Sequence, residues 1–190
     1  MIYLYLGIDP GISGALARIV VGERLRGPGS VDVWPTPTIT VKKGGRNYRV
    51  LDLGAMWRLL KEAVGPEDPA DAFCALEAQH AFPEQGVVSS FNLGYGFGAW
   101  TMALWTLELP HQVVHPATWK KAMFHDIGFK KGKGASILAA KRLFPSVSLR
   151  LTEGARKDSD GAAEALLLAE YANRIGRPAA AARAAEGGFA

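Results

Sequence analysis

Apolar residues along the chain form five short runs and several helical repeats. The first two runs flank a turn that contains Gly11 and Gly14, which predicts a pair of antiparallel strands. Several of the runs stop at proline, a residue that interrupts strands. The predicted strands are residues 1–7, 15–21, 31–34, 72–77 and 112–115.

Between and after these strands, apolar residues recur at the spacing of an amphipathic helix. Residues 80–96 are rich in glycine, serine and aromatic residues, and predict a loop that leads into a helix. Residues 36–49 carry four basic residues around a Gly-Gly pair, and predict an exposed loop or hairpin tip. The predicted helices are residues 51–64, 98–107, 118–124, 133–144 and 159–175.

The order of these elements is typical of an α/β domain. A three-stranded meander precedes a helix, a strand, a helix, a strand and terminal helices. This order predicts a three-layer domain with a central mixed sheet. A chain of 190 residues fits one such domain. We place the domain at 1–175 and expect a flexible tail over 176–190, where alanine and glycine predominate.

Composition narrows the class of protein. Hydrophobic residues make up 48% of the chain and charged residues 21%, as in a folded globular protein. The single cysteine, Cys74, excludes an intramolecular disulfide and a cysteine-based zinc cage, and its apolar neighbours predict a buried thiol. The sequence shows neither a secretory signal nor a membrane-spanning stretch, so we expect a cytoplasmic protein.

The net charge of +4 is unevenly distributed. Residues 115–157 contain ten lysines and arginines against two acids, and carry +8, which leaves −4 for the rest of the chain. A basic block beside a carboxylate-bearing remainder suits an enzyme that binds a polyanion, because one part can hold phosphates and the other metal ions. A solvated basic face is the alternative interpretation of the same charge pattern.

Two acids stand at the ends of predicted strands. Asp9 follows the first strand, where its carboxylate alone could simply cap the turn. Glu77 closes an apolar strand that has only one other acid and no base just before it. An isolated carboxylate in such a place needs a partner, and a divalent metal ion is one such partner.

Two further acids belong to the terminal helix. Asp160 and Glu164 are about one turn apart and share a flank of that helix. At roughly 100° per residue, Glu164 points roughly 130° away from the polar face, towards the side expected to pack on the sheet. Asp158 and Asp160 can also supply the N-cap and the favourable charge of the first turn.

These four acids come from three separated segments and could converge on one pocket. Hydrolysis of a phosphodiester with two divalent ions uses hard oxygen ligands that hold the ions about 4 Å apart. The spacing of Asp9, Glu77, Asp160 and Glu164 is compatible with this chemistry.

The sequence resembles the RuvC-like Holliday junction resolvases. The opening motif is GIDPGISGA at 7–15, and the shared order of the later motifs makes the resemblance specific over about residues 1–175. The residues in these motifs most resemble those of the phage and prophage branch. This resemblance would place the protein in the cytoplasm of a bacterial host. The later motifs lie at 75–77, 83–91, 94–96, 114–121, 133–136, 143–145 and 160–166.

The resemblance implies an RNase H-like fold with a five-stranded mixed sheet, and an endonuclease site with two Mg²⁺ or Mn²⁺ ions. Its four metal ligands would be Asp9, Glu77, Asp160 and Glu164. Cellular relatives usually have aspartate at the position of Glu164 and space the last two acids by three residues, not four. The third ligand is therefore Asp160 or Asp158. Lys157 is the candidate for the neighbouring basic residue that holds the scissile phosphate in place.

The resemblance also implies a homodimer, since paired nicks in a four-way junction require two symmetric sites. Relatives place an aromatic wedge near the second acid, and Phe82 and Phe91 are the candidates here. Trp119 is expected to be a packing anchor of its helix. The residues expected to bind DNA phosphates are Lys120, Lys121, Lys130, Lys131 and Lys133.

Other functions fit parts of the same pattern. A less selective nuclease of flaps or branched DNA would use the same acids. The Asp-Pro-Gly-Ile-Ser-Gly turn also resembles the phosphate loop of actin-like ATPases and sugar kinases, which need two such domains and about twice this length. A DNA-binding module without catalytic activity is the third alternative, and the presence of all four acids argues against it.

Overall fold

The computed structural model describes residues 2–22, 29–81, 83–126 and 134–176. Within these residues, strands and helices alternate largely as the sequence predicts. The strands are β1 (Ile2–Asp9), β2 (Ala15–Gly22), β3 (Val31–Pro35), β4 (Thr38–Lys43), β5 (Arg46–Leu51), β6 (Ala72–Glu77) and β7 (His111–Val114). The helices are α1 (Leu53–Val64), α2 (Val87–Thr106), α3 (Pro116–Asp126), α4 (Ala135–Leu143) and α5 (Asp160–Ile175).

Five strands form a mixed sheet in the order β3-β2-β1-β6-β7. The meander β1-β2-β3 is antiparallel, and β6 and β7 continue the sheet in parallel with β1. Helices cover both faces: side chains of α1 and α2 share one core with the sheet, and those of α3, α4 and α5 share the other. The predicted three-layer α/β fold with a central five-stranded mixed sheet is confirmed.

The basic segment predicted as an exposed loop or hairpin tip is the β-hairpin β4–β5, which forms a separate two-stranded sheet. Gly44 and Gly45 connect its strands with φ angles of +56° and +77°. A two-residue connection with positive φ at both positions matches the twist of the strands it joins, and glycine adopts it at little cost. This hairpin leaves the sheet after β3 and returns to α1.

Helix α2 is longer than the sequence predicts. It begins at Val87, so most of the segment predicted as a loop over 80–96 is helical. Its glycines reduce helix propensity, which explains the wrong boundary. Packing favours one of them: a Cβ at residue 96 would lie 2.5 Å from the carbonyl oxygen of Pro10. The helix therefore approaches the turn after β1 closely because Gly96 has no side chain.

The central strand β1 packs directly on helix α5. A Cβ at residue 7 would lie 2.2 Å from the Ala165 carbonyl oxygen and 2.2 Å from the Ala169 nitrogen. The sheet and the helix therefore meet backbone to backbone at Gly7. Small residues such as Ala162 and Ala17 are fully buried in the same layer. This contact sets the distance between α5 and β1, the strand that ends at Asp9.

The remaining helices and strands lie within a few residues of their predicted bounds. Cys74 is buried, as predicted, and burial raises the pKa of its thiol. In the described part of the chain, no helix combines the length and the hydrophobicity needed to cross a membrane. The tail predicted over 176–190 lies outside the described residues beyond Gly176.

Replacing Gly7 with alanine should strongly destabilise the protein. The new methyl group would press on the backbone of α5, which cannot rotate away, and we expect a loss of about 3 kcal/mol or more. Gly98→Ala is the matched control, because a Cβ on this exposed helical residue meets open space and should stabilise the protein by about 0.5–1 kcal/mol. Urea unfolding of both variants measures the difference, and equal effects would contradict the packing argument.

Candidate functional site

Asp9 and Glu77 end two neighbouring parallel strands. The β1–β6 register pairs Ile8 with Leu76, so the next residues, Asp9 and Glu77, lie side by side at the same edge of the sheet. Alternation along a strand gives these two residues the orientation of Gly7, which faces α5. Both carboxylates therefore point into the layer between the sheet and α5.

The turn after β1 holds the Asp9 carboxylate. The backbone N–H of Gly11 donates a hydrogen bond to Asp9 Oδ1 at 3.3 Å, and the N–H of Gly14 closes the turn on the Gly11 carbonyl oxygen at 2.9 Å. A Cβ at residue 14 would lie 2.1 Å from the carbonyl oxygen of Asp9. The glycines of the opening motif thus let the chain fold back tightly on the carboxylate-bearing residue.

The first turn of α5 packs against this Gly-rich turn. Ser159 is the N-cap, with its hydroxyl accepting a hydrogen bond from the Ala162 N–H at 3.2 Å. A Cβ at residue 161 would lie 2.4 Å from the Ser13 carbonyl oxygen and 3.0 Å from Asp9 Oδ2. Gly161 therefore brings the start of α5 to the Asp9 carboxylate, where the N-terminal end of a helix favours negative charge.

Glu164 lies one turn further along α5 and is held by two partners from other helices. Lys120 of α3 forms an ion pair with it, with Nζ 2.6 Å from Oε1. The hydroxyl of Ser136 in α4 donates to the same oxygen at 3.0 Å. The predicted inward orientation of Glu164 is confirmed, since its carboxylate lies between α5, α3 and α4.

Glu77 is buried and has partners of its own. The indole N–H of Trp119 donates to Oε1 at 3.0 Å, and the Gln79 amide donates to Oε2 at 3.2 Å. Trp119 is fully buried, so it is the packing anchor that the sequence predicts. It also orients the Glu77 carboxylate, a role that the sequence interpretation missed.

The carboxylates repel one another in a poorly solvated place. Burial, followed by the charges of Glu77 and Glu164, raises the pKa of Asp9 to about 7, against the lowering effects of the Gly11 hydrogen bond and of Lys120. Burial and the charge of Glu164 also raise the pKa of Glu77, while the hydrogen bond from Trp119 and the charge of Lys120 lower it. Such a group of acids is stabilised by a cation.

Two solved structures of RuvC share this fold. Thermus thermophilus RuvC in complex with a Holliday junction substrate matches with a TM-score of 0.53 and 19% identity, covering 92% of this chain and 96% of that one. A second Thermus thermophilus RuvC structure matches with a TM-score of 0.50 and 19% identity, covering 93% and 97%. The chain has the fold of RuvC. No protein-family model matches the chain, and no curated protein matches its sequence.

In this RuvC fold, the two candidates for the third acid differ in their surroundings. Asp158 forms ion pairs with Lys141 (2.5 Å) and Arg150 (3.6 Å), and the hydrogen bond from Lys141 lowers the pKa of its carboxyl group. Asp160 is exposed and occupies the first turn of α5, next to Gly161. Asp158 is therefore engaged in joining the loop before α5 to α4, whereas Asp160 stands beside the Gly-rich turn.

The predicted basic residues, like the two aspartates, differ in their surroundings. Lys120, expected to bind DNA phosphates, forms an ion pair with Glu164, and its charge also acts on Asp9 and Glu77. Lys157, the candidate for steadying the scissile phosphate, is exposed in the loop before α5. The sequence interpretation placed Lys120 in the basic block and missed its position within the acidic cluster.

The other predicted DNA-binding residues lie on the surface or outside the described part of the chain. Phe91 is 68% exposed on α2 and stacks on Tyr95, with ring centroids 6.0 Å apart, so it is not a core residue. Lys121 is exposed on α3. The predictions that lie outside the described residues are those for Phe82, Lys130, Lys131 and Lys133.

A cleft of about 670 Å³ borders the Gly-rich turn that follows Asp9. Ile12 and Ser13 of the Gly-rich turn line one side, and Gly86, Ser89 and Asn92 at the start of α2 line the other. Because the Ser13 carbonyl also contacts the start of α5 at Gly161, the cleft borders the same turn that holds Asp9.

The donor set is that of a hard divalent cation. Asp9, Glu77 and Glu164 offer carboxylate oxygens, which Mg²⁺ and Mn²⁺ prefer. Over the described ranges, no three acidic, histidine or cysteine side chains stand close enough together to hold a metal ion. Glu164 Oε1 is occupied by Lys120 and Ser136. The three carboxylates fit the cation by their chemistry, and the charges of Glu77 and Glu164 already act on Asp9. Glu164 would join the ion by exchanging the lysine ammonium for it.

The raised pKa of Asp9 predicts how stability depends on pH without metal. The folded protein binds the Asp9 proton more tightly than the unfolded chain, whose aspartate titrates near 3.8. The free energy of unfolding should therefore fall as pH rises from about 4 to about 7, by up to about 1.4 kcal/mol per unit. Asp9→Asn should flatten this dependence, as measured by urea unfolding in chelator between pH 5 and pH 8.

Asp158→Asn is the control for this measurement. The pKa of Asp158 is already below its usual range, so its carboxyl group stays ionised between pH 5 and pH 8. This variant should keep the wild-type slope in that window, whatever it loses in overall stability. If Asp9→Asn keeps the same slope as the wild type, the placement of Asp9 among buried acids is wrong.

Proposed function

We propose that this protein is a metal-dependent endodeoxyribonuclease that resolves four-way DNA junctions. The observation that carries the proposal is the pair of buried carboxylates, Asp9 and Glu77, at the ends of adjacent strands, with Glu164 facing them from α5. The fold supports it, since the matching RuvC structure is a complex with a Holliday junction substrate. The resemblance of the sequence motifs supports it independently.

The proposed cofactor is a pair of Mg²⁺ or Mn²⁺ ions. Asp9, Glu77, Asp160 and Glu164 would hold them, since their oxygens are the ligands that these ions prefer. When bound, the ions would supply an activated water and charge stabilisation at the leaving oxygen of the phosphodiester. We assign the third ligand to Asp160, because Asp158 is engaged by Lys141 and Arg150.

The protein's own groups have three tasks in this reaction. The Gly11 N–H and the Trp119 indole hold the carboxylates of Asp9 and Glu77 in place, so that they need not reorganise when substrate binds. The burial of Glu77 keeps bulk water from its carboxylate. Lys120 brings a positive charge to the acidic cluster and would hold a phosphate oxygen once Glu164 releases it.

The substrate and the assembly follow from the same proposal. A four-way junction has near two-fold symmetry, and two nicks on opposite strands require two sites related by a two-fold axis, hence a homodimer. Lys121 and the other predicted lysines would bind the DNA backbone. Phe91 is exposed near the start of α2, as an aromatic wedge would need to be, and Phe82 remains the second candidate.

One alternative keeps the same chemistry with a broader substrate range. A nuclease of flaps or other branches would use the same acids, and only the assay on different branches separates the two. The likeness spans 96% of the matching RuvC chain.

Asp9→Asn should abolish cleavage and leave binding of junctions intact. The amide keeps the size of the carboxylate and the acceptor for Gly11, but it removes the charge that holds the ion, so we expect a loss of more than about a hundredfold in rate. The measurement is cleavage of four-way, three-way, flap and linear DNA with and without Mg²⁺, together with a gel-shift assay of junction binding.

Three outcomes of that assay contradict parts of the proposal. Full activity of Asp9→Asn would rule out the proposed site. Cleavage by the wild type in chelator would rule out the dependence on metal. Equal rates on four-way and flap DNA would leave the nuclease assignment standing and overturn the selectivity for junctions.

Asp160→Asn should impair cleavage far more than Asp158→Asn. The exposed Asp160 stands at the start of α5 beside the turn that holds Asp9, whereas Asp158 pairs with two cations and contributes to stability. Single-turnover rates at saturating Mg²⁺ measure the first effect and thermal unfolding the second. The reverse ranking of cleavage rates would reassign the third ligand to Asp158.

A further inference from the structure

The β4–β5 hairpin is exposed, and all of its charged side chains are basic. Its basic side chains lie in and around the tip, and residues 38–51 contain no acid. Every residue from 39 to 49 is exposed. The basic residues are Lys42, Lys43, Arg46 and Arg49. A compact group of uncompensated cations on a protruding β-ribbon fits a polyanion.

The tip of this hairpin concentrates like charges at a cost to its own stability. Lys43 and Arg46 are direct partners across the two strands, so their side chains leave the same face side by side. Like charges in directly opposite positions destabilise a strand pair, typically by a few tenths of a kcal/mol to about 1 kcal/mol. Within the hairpin no carboxylate relieves this repulsion. A partner rich in negative charge would relieve it.

The base of the hairpin is fixed to the turn that carries Asp9. Arg49 donates from Nη2 to the Ile12 carbonyl oxygen at 2.7 Å. The N–H of Thr36, just before β4, donates to the Gly14 carbonyl oxygen at 3.0 Å. Ile12 also lines the cleft that borders this turn. The hairpin therefore projects from the border of that cleft.

The two faces of the ribbon have different surroundings. Cross-strand partners share a face, and faces alternate along each strand. One face carries the buried Leu51, then Arg49, and then Lys42 paired with Asn47, so it is the face turned towards the domain. The face turned away carries Tyr48, 47% exposed, and ends at the Lys43–Arg46 pair. Cations thus reach both sides of the tip.

We propose that the β4–β5 hairpin is a DNA-binding arm that holds the phosphate backbone of a duplex next to the cleavage site. This inference rests on the proposed nuclease function, which supplies the DNA. The cations of the hairpin contact phosphates and carry no sequence preference. Arg49 is a positioning residue, because it fixes the arm to the turn that bears the metal-binding Asp9.

The test compares two variants with the same change in net charge. Lys43→Gln/Arg46→Gln neutralises the tip of the hairpin, and Arg58→Gln/Lys61→Gln neutralises two exposed cations of α1. Both are made in the Asp9→Asn protein, and the affinity for a four-way junction is measured by fluorescence anisotropy from 50 to 300 mM NaCl. Thermal unfolding checks the fold, since removing a repulsive pair should leave the hairpin at least as stable.

The hairpin variant should bind about tenfold more weakly or worse at 0.1 M salt. Each lost phosphate contact lowers the slope of log affinity against log salt by about 0.9, so the slope should fall by about 1 to 2. The α1 variant should keep the wild-type slope. In the otherwise wild-type enzyme, at a concentration below saturation, the hairpin variant should cut the junction about tenfold more slowly because it binds the junction more weakly. The α1 variant should cut it at the wild-type rate.

The contrary outcomes separate this inference from the function on which it rests. The hairpin variant could keep its affinity and slope while the wild type binds and cuts junctions. In that case the DNA-binding role of the hairpin is wrong and the proposed nuclease function is unaffected. If both variants lose affinity equally, the effect belongs to net charge and the arm is overturned. If the wild type neither binds nor cuts any of the four DNAs, the nuclease proposal fails first.

Discussion

The close approach of helix α5 to strand β1 determines the position of every other part of the site. At Gly7 the strand meets the backbone of the helix, and at Gly161 the helix meets the turn that follows the strand. Without side chains at these two points, α5 lies low enough for Glu164 to face Asp9 across the gap. The sheet supplies two carboxylates, and this contact supplies the third.

The acids so gathered oppose one another, and the surrounding residues limit the cost. A carboxylate that loses water and gains like charges becomes a weaker acid, which is why the pKa of Asp9 rises to about 7. Trp119, Ser136 and Lys120 each donate to one of these acids from α3 or α4. The layer of helices behind the sheet is therefore also the layer that holds the acids in place.

Much of this arrangement could be predicted from the chain. Apolar runs and prolines predicted the strands, and Asp9 and Glu77 were recognised as acids at strand ends. The register of β1 with β6 then brings the two acids side by side. The start of α2 was missed because its glycines indicate a loop, whereas Gly96 serves a close contact with Pro10. Propensity is local, and such a contact joins residues far apart in the sequence.

The roles of Trp119 and Lys120 could not be predicted for the same reason. Trp119 and Lys120 lie more than 40 residues from Glu77 and Glu164 in the sequence, so no helical or strand periodicity relates them. Only the folded structure brings α3 to the end of β6. A buried tryptophan is ordinarily explained by packing alone. The sequence also left the choice between Asp158 and Asp160 open, and the ion pairs of Asp158 with Lys141 and Arg150 support the proposed choice of Asp160.

The layer between the sheet and α5 consists largely of glycine and alanine, from Gly7 and Ala17 to Ala162 and Ala169. Such an interface leaves no methyl-sized space, so the helix can neither slide nor rotate without backbone collisions. While this interface keeps α5 in place, the site can change only by substitution of side chains on the helix. Moving an acid by one position along α5 rotates its side chain by about 100° around the helix axis. An acid can therefore face the site only from positions about one turn apart.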